Sequence, residues 1–438
     1  MSKSCLAFLG GAPVVPPGQA CRWPVLTDAD YAAVRRVLDR GVLSGPGAPE
    51  IRALEEEFAG FVGTRFCLAT NSGTAALDVA LAAAQVGPGD EVIVPALSFV
   101  ATAHAVLHQG AVPVFADIDI ETYTMDPACV KDRITDRTRA IIPVHLHGLP
   151  AEMDAINHLA DRNGLIVIED AAQAHGASYR GRSIGTLGRM AAFSLNSTKN
   201  LPAGEGGLFV TDTADLHARA ARARFNGLDP DVQWDPIRPL DGEADSLATA
   251  MGWMYLPGEV TAALARAQLG RLPETTARSR KNAERLSARL SELPGVMPPI
   301  VPPDRTHVFH KYRVRFDPER AGVGLSPKAF RDLVLQALRA EGVEVVLWQT
   351  HPLPSHPLFG CNEPYLVTQA LLDASLVIGS QSYPLFAQPP QIVDAWADAF
   401  EKVWSHLPES LTRSMKIPLL PPLKRGEGGI LPTVQDGQ

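Results

Sequence analysis

Lys199 stands in the run Phe193-Ser194-Leu195-Asn196-Ser197-Thr198-Lys199-Asn200-Leu201-Pro202-Ala203-Gly204-Glu205-Gly206-Gly207. The lysine follows an apolar, strand-like stretch. Three glycines come soon after it, and glycine lets a backbone take positive φ and pass close to another group. Upstream lies a second anchor, Leu165-Ile166-Val167-Ile168-Glu169-Asp170, a buried-strand pattern that ends in carboxylates. In open α/β sheets ligands bind outside the carboxyl ends of the strands. A carboxylate there, with a lysine on a later loop, is what pyridoxal 5'-phosphate chemistry requires. The lysine forms the Schiff base and the carboxylate pairs with the pyridinium nitrogen. Taken singly, each residue has a plainer reading, as a surface lysine and a helix-capping aspartate. The chemical reading rests on further parts arriving in order.

The first of these is Asn71-Ser72-Gly73-Thr74-Ala75-Ala76-Leu77, where a strand gives way to a helix. Free N–H groups and the macrodipole make a helix N-terminus an anion site. Gly73 permits close approach, and the Ser72 and Thr74 hydroxyls add donors; plain helix capping explains the same residues equally well. Next, Pro95-Ala96-Leu97-Ser98-Phe99 puts an aromatic ring after a strand. Phe99 could stack on a flat cofactor or simply join a core. In Glu169-Asp170-Ala171-Ala172-Gln173-Ala174-His175-Gly176, a buried Asp170 keeps a protonated pyridine an electron sink. Gln173 can donate to the ring oxygen, and His175 reads as a satisfied structural histidine. Ser194, at a strand end, can reach the same phosphate as Gly73. In a partly dry site beside a cationic ring, the Lys199 amine has a lowered pKa, which suits a nucleophile that later acts as a base.

The elements that must position these residues alternate. Strand patterns cover 66–69, 91–94, 112–115, 140–144, 165–168 and 208–211, with helical periods at 74–84, 100–108 and 152–162. That alternation predicts an α/β fold with a mainly parallel sheet flanked by helices on both faces. Ahead of it, residues 1–25 read as extended. Helices are expected over 28–40, with Asp28 as its cap, and over 49–61. Residues 228–258 read as a long loop, and loops of that length are usually functional or disordered. Helices resume over 259–271 and 274–292. After a proline-rich linker come strands at 310–316 and 343–347 and helices at 327–340 and 391–404, a smaller α+β domain. The expected division is a large domain over 1–275, a small domain over 276–410 and a disordered tail over 411–438.

Composition narrows the class. The chain has 438 residues, a formal charge of −8 and 46% hydrophobic residues, enough for two domains. The mild acidity argues for neither nucleic acid nor an anionic membrane surface as partner. Five cysteines are scattered without metal-type spacing, which fits a reducing cytoplasm. There is no signal-peptide pattern and no apolar run of membrane-spanning length.

In these motifs the chain resembles the sugar aminotransferases of the DegT/StrS type, PLP enzymes of the aspartate-aminotransferase fold (fold type I). The matching stretches are 71–77, 87–95, 111–115, 144–148, 167–176 and 193–207. Together they make the resemblance cover most of the chain, from Gly10 to Trp404. It implies a seven-stranded sheet in the large domain. It also implies that Gly73, Thr74 and Ser194 hold the phosphate and Phe99 stacks on the ring. Asp170 then pairs with the pyridine nitrogen, Gln173 meets the ring oxygen, and Lys199 carries the Schiff base. Gly10-Gly11-Ala12-Pro13 and Trp23-Pro24 look most like the branch that aminates keto-cyclitols such as scyllo-inosose; the aminohydroxybenzoate branch is similar there. The activity implied is transfer of an amino group from L-glutamate or L-glutamine to a keto sugar or keto-cyclitol, by a homodimer whose active sites are shared. Two departures stand out. The family's Gly-x-Asn-x-Arg run is here Gly252-Trp253-Met254-Tyr255-Leu256, and Leu195 replaces an aromatic residue after the serine. Alternatives are a PLP-dependent sugar dehydratase or aromatising lyase, against which Lys199 speaks because the dehydratases carry histidine there, and a non-catalytic PLP-binding regulator. Trp234, Trp253, Met254 and Tyr255 are expected to cover or enter a binding surface.

Overall fold

The computed structural model describes residues 5–45, 47–228 and 248–407. The expected tail, and Trp234 with most of the 228–258 loop, lie outside the described residues. The N-terminal stretch is not wholly extended, since Ala7–Leu9 forms a 3-10 turn closed by Gly10.

Helix α1 (Asp28–Arg40) is capped one residue earlier than expected, so Asp28 is already its first helical residue. Thr27 is the N-cap, and its backbone N–H donates to Asp30 Oδ2 at 2.6 Å. Helix α2 (Pro49–Val62) begins on a proline, whose missing N–H costs nothing at that position. The chain then alternates through β1 (Phe66–Thr70), α3 (Gly73–Ala83), β2 (Glu91–Pro95), α4 (Ala101–His108), β3 (Val112–Ala116), α5 (Pro127–Lys131), β4 (Thr138–Ile141), α6 (Met153–Asn163) and β5 (Ile166–Asp170). A small hairpin, β6 (Ser178–Tyr179) and β7 (Arg182–Ser183), precedes β8 (Met190–Ser194), β9 (Gly207–Thr211) and α7 (Ala214–Arg224).

Seven of these strands form one sheet in the order β1-β9-β8-β5-β4-β2-β3. Strand β9 runs antiparallel to both β1 and β8, and the other pairings are parallel. Parallel pairs need crossovers, and the helices that make them bury both faces. Residues of α2, α6 and α8 (Glu259–Leu269) pack on one face, around Phe58, Ile156 and Ala262. Residues of α3, α4 and α7 pack on the other, around Val79, Val106 and Ala220. Two-sided burial explains why β2, β8 and β9 are buried at all five positions instead of alternating.

Helix α9 (Leu272–Leu290) links two cores. Leu272 packs with the first sheet, while Ala283, Leu286 and Leu290 join a second core. That core lies on an antiparallel sheet of order β10-β12-β14-β13, made of β10 (Val296–Met297), β12 (Tyr312–Phe316), β13 (Val345–Val346) and β14 (Ser375–Ile378). Strand β11 (Arg305–Thr306) pairs instead with β6. Helices α10 (Pro327–Ala340) and α12 (Pro390–Ser405) cover the second sheet, and α11 (Leu366–Ala374) leads into β14. Leu6 and Val15 from the N-terminal segment also pack in this core.

Candidate active site

The ends of β5 and β8, the turn after β2 and the start of α3 converge on one cleft. At the start of α3, Ser72 caps the helix by accepting from Ala75 N–H at 3.0 Å. The N–H groups of Gly73 and Thr74 are left at the open end, where the helix favours negative charge. Gly73 has a spatial reason to be glycine, because a Cβ there would lie 2.8 Å from Ser194 Cβ. The two residues read separately as anion ligands are therefore in contact. Gly207 sits equally close, since its Cβ would lie 2.2 Å from the Ser72 carbonyl oxygen. Of the three glycines after Lys199, Gly204 and Gly206 take positive φ (87° and 152°), whereas Gly207 is needed for space alone.

Asp170 closes β5 and is buried. Its Oδ2 accepts from Thr102 Oγ1 at 2.8 Å and its Oδ1 from Ala172 N–H at 3.2 Å. Burial raises its pKa, opposed by these two donors and by the charge of Lys199. Thr102, in the first turn of α4, is in turn 2.7 Å from Ser98 Oγ. Lys199 lies on the loop between β8 and β9. Burial of its amine lowers it to about 8, against the pull of Asp170 and Glu205. Its carbonyl accepts from Trp23 Nε1 at 3.0 Å, so the N-terminal segment fastens the lysine's backbone. Gln173 is buried with its side-chain oxygen taken by His147 N–H at 2.8 Å, which leaves its NH2 end to meet an acceptor. Ser194 is buried at the end of β8, and Phe99 is 57% exposed beyond β2.

Beneath Asp170 lies a buried pair that the sequence pattern does not announce. His145 Nδ1 accepts from Ala151 N–H at 3.1 Å, so Nε2 carries the proton and donates to Glu169 Oε2 at 3.0 Å. Glu169 also accepts from the N–H groups of Gly185, Leu187 and Gly188. Four donors on one fully buried carboxylate fix the end of β5 from below.

Two expectations need correction. His175 is buried but not satisfied: neither ring nitrogen meets hydrogen-bond geometry, although the Ser194 backbone lies beside it. Burial, helped by the Lys199 charge, pushes it down to about 3, so the ring is neutral. Trp253 and Tyr255 do not reach outward. They stack on each other with centroids 5.6 Å apart and pack against their own core, and Tyr255 OH donates to Asp78 Oδ2 at 2.9 Å. The physical reason is the α3 surface beneath them, which offers both an apolar bed and a buried carboxylate. Met254, between them, is 56% exposed. Its carbonyl and that of Tyr255 accept from the side chain and backbone of Asn71, so the segment runs beside the anion cradle.

Sequence reasoning missed Thr102, Ser98, Trp23 as an anchor and the His145–Glu169 pair. Only the question of what supplies donors to a buried Asp170 could have pointed toward a hydroxyl.

The family profile described as the DegT/DnrJ/EryC1/StrS aminotransferase family matches residues 24–384. The L-glutamine:scyllo-inosose aminotransferase of Streptomyces griseus is 36% identical over 429 residues, covering 93% of this chain and 99% of that protein. Among solved structures, DesI in the presence of its TDP-sugar product is 31% identical, with a TM-score of 0.80, over 94% of this chain and 100% of that one. An aminotransferase from Psychrobacter cryohalolentis is 29% identical, with a TM-score of 0.81, over 88% of this chain and 99% of that one.

Proposed function

The chain belongs to the DegT/DnrJ/EryC1/StrS aminotransferase family, and from that premise we propose that it carries an amino group from L-glutamate or L-glutamine to a keto sugar or keto-cyclitol. Aminotransferases of this family work with pyridoxal phosphate, and the residues of the cleft suit that group. A cradle that a Cβ at Gly73 would fill, a buried carboxylate and a lysine of lowered pKa are the three features it needs. The reading of donor and acceptor is supported by the near full-length likeness to an enzyme whose name states L-glutamine and scyllo-inosose.

When bound, the cofactor supplies an electron-accepting ring that eases loss of a proton from the carbon bearing the amine. The chain does the rest. Gly73 and Thr74 N–H groups with the Ser194 hydroxyl receive the phosphate. Phe99 offers a ring face. Asp170, whose carboxylate Thr102, Ala172 and the lysine stabilise against the burial that raises its pKa, would hold the proton on the pyridine nitrogen. Gln173 donates to the ring oxygen. Lys199 ties the cofactor at rest and, once released, moves the proton to and from the substrate carbon. The observation that carries this reading is the partly buried Lys199 amine, lowered to about 8 and electrostatically coupled to buried Asp170. Borohydride reduction of the holoenzyme followed by peptide mapping tests it. The cofactor should be fixed on Lys199, and an adduct on another lysine would remove the assignment.

The proposal extends to assembly and place. A large unit to about residue 275 and a smaller one beyond it, on which the N-terminal segment packs, fit the two cores. A homodimer is supported by Met254 and Phe99, apolar side chains left open at the cleft's edge, and by Tyr31 and Leu38 on the outside of α1. No helix among the described residues is long and apolar enough to cross a membrane. Five unbridged cysteines support the reducing cytoplasm.

A further inference from the structure

Lys311 immediately precedes β12 and takes no part in the roles assigned above. Its backbone N–H donates to the His147 carbonyl at 3.2 Å, and His147 N–H donates to Gln173 at 2.8 Å. The lysine's backbone is thus tied through His147 to Gln173, and its amine feels the Lys199 charge, whereas the anion cradle lies where Gly73 meets Ser194. Its surroundings are cationic or neutral. Arg313 is held by Ser375 Oγ and the Trp348 carbonyl, each at 2.7 Å, and donates to His147 Nε2 at 3.0 Å. His147 is kept neutral by burial and by the charges of Arg313 and Lys311. His307, which lines one hollow with His147, Lys311 and Arg313, is likewise neutral, and Glu121 at the rim of that hollow is exposed. Lys199 is coupled to Asp170. Among the described residues no carboxylate forms an ion pair with Lys311, and its Nζ rests 5.9 Å from the Trp348 ring centroid. Burial, with the charges of Lys199 and Arg313, pushes the amine down to about 7.

A largely desolvated cation without a counter-ion is costly, and an anionic ligand relieves that cost. We propose that Lys311 Nζ binds the carboxylate of the amino donor. The inference rests on the aminotransferase reading and deepens it. Two features select the donor's carboxylate over a phosphate. The phosphate cradle is already complete at the start of α3. The lysine also presents a single point charge, and the neighbouring Arg313 guanidinium is already committed to Ser375, Trp348 and His147, so the site has no second free cation to wrap a tetrahedral anion. Both L-glutamate and L-glutamine carry the α-carboxylate, so Lys311 serves either and does not choose between them.

The test is the donor half-reaction of the holoenzyme, followed by loss of the visible absorbance band on adding L-glutamine or L-glutamate. Lys311→Gln should raise the half-saturating donor concentration at least tenfold and change the limiting rate little, and Lys311→Arg should restore it. 4-Aminobutanamide, which is L-glutamine without its α-carboxylate, should react equally poorly with wild type and Lys311→Gln. An unchanged half-saturating concentration in Lys311→Gln, with a responsive wild type, overturns the lysine's role alone. So does an equal loss for 4-aminobutanamide, which would mark a packing effect. If Lys311→Gln spares the donor but abolishes inhibition by inorganic pyrophosphate, the lysine serves a phosphate-bearing acceptor and the proposal fails. A wild type whose spectrum ignores both amino acids overturns the aminotransferase reading, and this assignment with it.

Discussion

Thr102→Val isolates one hydroxyl whose contribution can be worked from the structure. Valine keeps the shape of threonine and removes the proton donated to Asp170 Oδ2 at 2.8 Å. Because that proton is committed to the carboxylate, the 2.7 Å contact with Ser98 must be a donation from Ser98 to Thr102. The variant therefore breaks a two-hydroxyl relay whose far end is a buried anion. A hydrogen bond to a charged group contributes about 1.5–3 kcal/mol. If Asp170 must be ionised for turnover, that loss corresponds to roughly a ten- to hundredfold fall in kcat/KM on the acid limb, where the carboxyl is mostly protonated, and to less above it. The sign of the pH effect follows from the balance at Asp170. Burial already raises this carboxyl, and Thr102 is the foremost group opposing the rise. Removing it raises the pKa further, so the acid limb of the rate profile should move to higher pH. Steady-state rates across the acid range measure both effects, and Thr102→Ser should recover both. Wild-type rates with an unmoved acid limb in Thr102→Val would refute the argument that this hydroxyl keeps Asp170 ionised.

Two further outcomes are expected. Lys199, lowered to about 8, is mostly neutral above that pH, so apoenzyme should capture added pyridoxal phosphate at a rate that rises through pH 8 and then levels; a rate still climbing between about pH 9 and 10 would indicate an ordinary lysine. Glu259 is fully buried and accepts from Arg40 at 2.6 Å and from the backbone N–H groups of Glu50 and Ile51 at 3.1 and 2.8 Å. Glu259→Gln should destabilise the protein by about 3 kcal/mol in urea unfolding, at the low end for a broken buried pair because Arg40 is partly exposed, and an undetectable change would show that Arg40 and the α2 N-terminus find other partners.

Much of the site was legible because its residues sit where local pattern changes. Asp170 ends an apolar run, Ser194 ends another, and Gly73 and Thr74 stand where strand pattern turns to helix period. Those boundaries are short-range features, set by burial of the strands and by capping chemistry. Elements with weak local signals were missed. Helix α7 is rich in alanine and arginine, so its apolar face carries little contrast. Helix α11 and strand β14 directly adjoin, and no turn residue separates them.

By itself the sequence determined the alternation that forces a mainly parallel sheet, and the order of lysine, carboxylate and glycines along the chain. The tertiary structure decided what those residues touch. Strand β9 runs against its neighbours, which local patterning cannot express because side-chain alternation is the same in either direction. Ala48, the N-cap of α2, has no capping side chain; Glu259, from a helix more than two hundred residues later, caps α2 instead. Thr102 reaches Asp170 across 68 positions, and Trp23 reaches Lys199 across 176. Lys311, ordinary in its own segment, loses its water and gains cationic neighbours only when the segment ahead of β12 docks on His147. Hydrogen bonds and desolvation depend on distance in space, and chain packing brings those distances into existence.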